Sequence, residues 1–191
     1  MYPNIAIRGE TDADVDVEAI TELTVEAFMK WFQNLKTDLF TSWEQIMTDH
    51  IEEVEVELVN DKVRFNGISI AHPDTAVAFD YKPPMGDGNG FNGLELLLMS
   101  LSGCSATAVV YLLRKMHKHV AGLTVHGTGI RSKEPPLKFE AITLKFVVRS
   151  DDITPAEIEK AIQLAEASVC PVWQMIKNNV KVKAEFSLSA Q

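Results

Sequence analysis

Two thiols, Cys104 and Cys170, are the residues in this 191-residue chain whose chemistry is most distinctive. Two cysteines do not make a disulfide-stapled scaffold, which leaves three readings: inert core thiols, a redox couple, or half of a metal site. Cys104 lies in Leu101-Ser102-Gly103-Cys104-Ser105-Ala106. The small residues there leave room beside the sulfur for a close-packed neighbour or a small substrate. Taken alone, a free cysteine in an apolar helix reads as a buried core residue. Cys170 precedes Pro171 at the start of a predicted helix, where backbone N–H groups and the helix dipole favour a thiolate.

Glu95 is the nearest acidic candidate. Asn92 and Glu95 are spaced as a helix cap and its third residue. Glu95 is also nine residues from Cys104, about 180° around a straight helix and roughly 13 Å along it. Within one straight helix it therefore cannot touch its own Cys104; it could act on another subunit's thiol, or on its own only if the helix is broken. Gly88-Asn89-Gly90-Phe91-Asn92-Gly93 has the form G-x-G-x-x-G, but two prolines precede it and the strands around it are not those of a βαβ unit. A calcium loop built on Asp87 and Asn89 would put Met85 and Leu96 at its end-ligand positions, so no calcium site is expected. His117 and His119 are two apart near a helix end and point to different sides, so no metal site is expected there either.

These residues need elements to hold them. Residues 13–52 carry apolar side chains at threes and fours, and two amphipathic helices are expected there. Val54, Val56 and Leu58 then alternate with glutamates, the pattern of a half-buried strand. Residues 63–70 and 75–81 continue an antiparallel meander. A Gly- and Pro-rich loop leads into 94–120, an apolar stretch with almost no polar face that predicts a buried helix. Strands over 123–131 and 139–149 follow. Thr154-Pro155-Ala156-Glu157 opens a helix with cap, proline and capping glutamate. A short helix from Cys170-Pro171 and a strand over 180–188 end the chain. The order, a helical extension and then βββ-α-ββ-αα-β, is α+β.

Charge divides the chain at the same place. Residues 1–57 hold 14 acidic against 3 basic residues, and residues 58–191 hold 13 against 15, so the net −9 belongs to the first third. The expected organisation is an acidic helical extension over 1–52 and a second domain over 53–191. An acidic chain without a basic cluster is a poor ligand for phosphate backbones, so no nucleic-acid partner is expected. The composition, 46% hydrophobic and 24% charged, is that of a globular protein. No membrane partner is expected, since no uninterrupted apolar run approaches the roughly 20 residues of a span. The first residues lack the layout of a signal peptide, and a cytoplasmic location is the expectation.

Gly93-Leu94-Glu95-Leu96-Leu97-Leu98-Met99-Ser100-Leu101-Ser102-Gly103-Cys104 resembles the central helix of the osmotically inducible protein C (OsmC) family. Val169-Cys170-Pro171-Val172, followed by a last strand, resembles that family's second cysteine motif. The resemblance spans about 54–189. It implies an antiparallel sheet around a long buried central helix, in an intertwined homodimer with active sites at the subunit interface. It includes organic hydroperoxide resistance proteins. By that likeness Cys104 would attack a small organic hydroperoxide, Cys170 would resolve the sulfenic acid as a disulfide, and a dithiol reductant would reopen it. No cofactor is implied. Peroxidase members use a glutamate and an arginine beside the first thiol. Glu95 lies one position from the usual glutamate, Arg64 is the arginine available in the early strands, and Arg131 matches a position in other branches. A non-catalytic binding or redox-sensing protein with an interface pocket is the alternative on the same fold.

Overall fold

The computed structural model describes residues 51–190. Apart from its last two residues, the expected helical extension over 1–52 lies outside the described residues.

The described residues begin with a three-stranded antiparallel sheet, β1 (Val54–Leu58), β2 (Phe65–Ser69) and β3 (His72–Phe79), in that order. Asn60 closes the first turn, its side-chain oxygen accepting from the backbone N–H groups of Lys62 and Arg64, both at 3.0 Å. This is the local bonding that makes asparagine a turn residue. β1 was expected to be half-buried, yet all five of its residues are exposed, and Val54 keeps 72% of its surface. The alternation is correct for a strand, but among the described residues no element covers its valine face.

The loop after β3 is organised by one carboxylate. Asp80 is buried and accepts from the backbone N–H groups of Tyr81 (2.8 Å), Asn89 (2.9 Å) and Asp87 (3.2 Å). The Asn89 contact is the largest cause holding its carboxyl below the ordinary aspartate value, with Tyr81, Asp87 and the charge of Arg64 adding to it. A side chain at Gly86 would place its Cβ 2.1 Å from the Asp80 carboxylate, and Gly88 has φ +76°. The glycines of this stretch thus let the backbone wrap Asp80 closely.

Helix α1 (Gly93–Lys115) follows with a complete capping box: Glu95 N–H donates to Asn92 at 3.0 Å, and Asn92 N–H donates to Glu95 at 2.8 Å. Its buried face is Leu101, Ser105, Ala108, Val109, Leu112 and Leu113. The helix was expected to be buried on nearly all sides. Leu97 and Met99 in its first half are exposed, because among the described residues the neighbouring elements cover one face only.

β4 (Gly122–Arg131), β5 (Phe139–Arg149) and β6 (Lys181–Ser189) form the second sheet, with β5 central. β4 pairs antiparallel with β5, as expected of a hairpin. β5 and β6 are parallel, from Ala141 opposite Lys181 to Arg149 opposite Ser189. The expectation of a wholly antiparallel sheet fails at this pair. The segment between the strands is a helical crossover, which returns the chain to the start of β5. It consists of α2 (Pro155–Leu164), one π turn (Ala165–Val169) and α3 (Pro171–Ile176). Thr154 caps α2 with Glu157, as its sequence predicts.

The core forms where α1, β5, α2 and α3 meet. Ile142, Leu144, Phe146 and Val148 of β5 pack with the buried face of α1, with Ile158 and Ile162 of α2 and with Trp173 of α3. Each such side chain contributes roughly 1.5–3 kcal/mol on leaving water. β4 comes so close to α1 that a side chain at Gly127 would meet Ser102 Oγ at 2.6 Å. The segment that carries Cys104 is therefore held on one side by the second sheet and on the other by α3.

Candidate active site

Cys104 lies midway along α1 and Cys170 is the N-cap residue of α3. The π turn sets the approach of Cys170. Its N–H donates to the Ala165 carbonyl at 2.9 Å, spanning five residues, and the backbone then leaves the helix with φ −88° and ψ 106°. The two sulfurs, 66 residues apart in the chain, are 2.8 Å apart in space and both thiols are free.

The pair is asymmetric. Cys170 is wholly buried and Cys104 is part-exposed. Cys170 Sγ accepts from the Trp173 backbone N–H at 3.4 Å and lies 3.7 Å from the Ser105 hydroxyl. Burial pushes the Cys104 thiol up to about 11, and sharing a proton with Cys170 adds to the rise, while the Val172 backbone N–H pulls the other way. The arrangement suits a reactant that reaches Cys104 from solvent and a second sulfur that closes on it from within.

The other candidates lie elsewhere in the chain. Glu95 serves in the cap of α1, and that helix runs unbroken to Lys115, so Glu95 stays away from its own Cys104. Arg64 sits close enough to Asp80 to lower its carboxyl, and Arg64 Nε is buried without a hydrogen-bond partner among the described residues. Arg131 reaches Asn92 at 3.5 Å, beside the Glu95 cap. Among the described residues no hydrogen bond or ion pair joins Arg64, Arg131 or Glu95 to either sulfur. The sequence pattern flagged Ser105 only as a small residue. Its contact with Cys170 follows from the α1–α3 packing, for which a single serine gives no signal.

A two-sheet α+β domain with a free dithiol between its central helix and a crossover helix is a recognisable class of thiol protein. The family model for OsmC-like proteins matches residues 86–185, from the loop before α1 into β6 and across both cysteines, and the chain belongs to that family. It is 32% identical to protein YhfA of Escherichia coli K12 over 97 residues, 51% of this chain and 72% of YhfA. A hypothetical protein from Aquifex aeolicus is similar in structure, with TM-score 0.64 and 25% identity, covering 74% of this chain and 98% of that one. An organic hydroperoxide resistance protein from Legionella pneumophila shares the fold with TM-score 0.55 and 14% identity, covering 72% and 96%.

Proposed function

We propose that this protein reduces small organic hydroperoxides through a two-thiol cycle, with Cys104 as the attacking sulfur and Cys170 as the resolving one. The observation that carries the reading is the 2.8 Å approach of two free thiols, one part-exposed and one buried. Cys104 thiolate attacks the outer peroxide oxygen, the O–O bond breaks, and the alkoxide leaves and takes a proton. Cys170 then attacks the resulting sulfenic acid, forming the disulfide and releasing water. A dithiol reductant reopens the disulfide and is itself oxidised to a disulfide.

Attack needs the thiolate, and the single chain holds Cys104 protonated. We infer that the protein works as a homodimer in which the second copy brings a guanidinium to Cys104. A cation close to a thiol lowers its pKa by about 1–3 units, enough to offset the burial. Arg64, with its unpartnered Nε, is the arginine we assign. The exposed Val54 and Val56 of β1 and the exposed Leu97 and Met99 supply apolar surface for that association.

The test is consumption of an organic hydroperoxide with excess dithiol. The wild type should turn over many times, Cys104→Ser should not react, and Cys170→Ser should consume one equivalent and stop. Sulfenic acid trapped on Cys170 instead of Cys104 would reverse the roles. The raised Cys104 thiol favours one other reading, a redox sensor without turnover. Oxidation by a single equivalent of peroxide with no further consumption, in the wild type with reductant present, would select it.

A further inference from the structure

We propose that Ser105 is a catalytic residue for reopening the Cys104–Cys170 disulfide, turning its hydroxyl to donate a hydrogen bond to Cys170 Sγ as that sulfur becomes a thiolate. The inference rests on the thiol-pair reading but not on peroxide as the oxidant.

Burial decides which sulfur is attacked. A reductant arriving from solvent meets part-exposed Cys104, since Cys170 has no accessible surface. The reductant thiolate forms a bond to Cys104 Sγ, the S–S bond breaks, and its electron pair stays on Cys170 Sγ. The second thiol of the reductant then attacks the reductant sulfur of the mixed disulfide. That second thiol gives up its proton to solvent as it attacks, Cys104 leaves as a thiolate, the reductant departs as a disulfide, and the two protein sulfurs take up protons from solvent to restore the free thiols. The first of these steps puts a negative charge on a fully buried atom, which is costly unless donors already face it.

Two donors are in place. The Trp173 N–H is 3.4 Å from Cys170 Sγ and is fixed by the backbone of α3. The Ser105 hydroxyl is wholly buried, 3.7 Å from the same sulfur, and donates to the Leu101 carbonyl at 2.7 Å while Cys170 is neutral. Turning that O–H bond from Leu101 toward Cys170 moves one proton and no heavy atom. Leu101 is inside α1, so its carbonyl keeps the helical bond from the Ser105 N–H when the hydroxyl turns away. The switch therefore strands no buried acceptor. A hydrogen bond to an ionised acceptor is roughly twice as strong as a neutral one, so the charge on Cys170 is what turns the hydroxyl. A better-stabilised leaving thiolate departs faster. Alanine at this position would leave the N–H of Trp173 as the remaining donor of the two.

The test starts from protein oxidised with diamide, so it does not depend on peroxide. Reopening by dithiothreitol is followed by stopped flow across a range of pH, for the wild type, Ser105→Ala and Ser105→Thr, with circular dichroism to check the fold. Ser105→Ala should reopen about tenfold more slowly, and Ser105→Thr, which keeps the hydroxyl, should recover most of that loss. The proposal is overturned if Ser105→Ala reopens at the wild-type rate, or if threonine fails to rescue in a folded protein. Failure of diamide to form an intramolecular disulfide overturns it together with the thiol-pair reading. Absence of peroxide turnover alongside a Ser105-dependent reopening removes only the peroxide assignment.

Discussion

Oxidising the thiol pair should make the protein markedly more stable. The bond would join α1 to α3 across a loop of 66 residues. Closing a loop of that length removes about 15 cal/mol/K of entropy from the unfolded chain, about 4 kcal/mol at 25 °C. The native state has little to give back, because the sulfurs are already in contact and both flanking elements are anchored in one core. For a chain of this size that corresponds to a rise in Tm of about 10 °C. Diamide-oxidised and dithiol-reduced protein would be compared by calorimetry and urea unfolding, with non-reducing mass spectrometry to verify an intramolecular bond. Cys104→Ser and Cys170→Ser should show no such difference. Equal stability of the two forms, or a less stable oxidised form, would refute the geometry, because the cysteines would have to move apart from their native positions to react.

Arg64→Gln should slow alkylation of Cys104 near neutral pH by about a hundredfold if the second copy's guanidinium offsets the burial. The pH–rate profile should then rise toward the value of about 11 set by the chain alone, and an unchanged profile would reject that arginine. Val56→Lys, at an exposed position of β1, should shift the protein to monomer in light scattering while α1 and the second sheet keep their circular dichroism. Asp80 has its carboxyl held below the ordinary 3.8, so its contribution to loop order is complete above that value and is lost as pH falls through the lower, folded one. The amide resonances of Asn89 and Asp87 should titrate together below pH 3.8, and Asp80→Asn should abolish that transition.

The elements were legible where local chemistry decides them. Asn92 with Glu95 and Thr154 with Glu157 mark their helix starts in sequence and form complete capping boxes in the structure. The alternation of 139–149 marks β5, and every second residue from Ile142 to Val148 is buried. The parallel pairing of β6 was not legible, because an alternating strand reads the same beside a parallel or an antiparallel neighbour. The exposed β1 was misread for a related reason: alternation tells which face is apolar, not what covers it. At the site, the approach of Cys104 to Cys170 was accessible only through the family likeness, since nothing local links residues 66 apart. The π turn that aims Cys170 and the serine behind it depend on packing that no short motif encodes.

An i to i+5 turn is a helix carrying one residue more than its α register needs. Deleting one codon within 165–169 would let α2 continue as a regular helix and turn everything after it by about 100°. Cys170 would swing away from Cys104, but Trp173 would turn with it, and Trp173 is among the largest side chains wholly inside the core. The extra residue that aims the sulfur also seats the indole. The thiol pair can therefore be lost by substitution at little cost to folding, but not by shortening this turn. Among descendants of this chain, the length of the segment from Pro155 to Cys170 should outlast the cysteine itself.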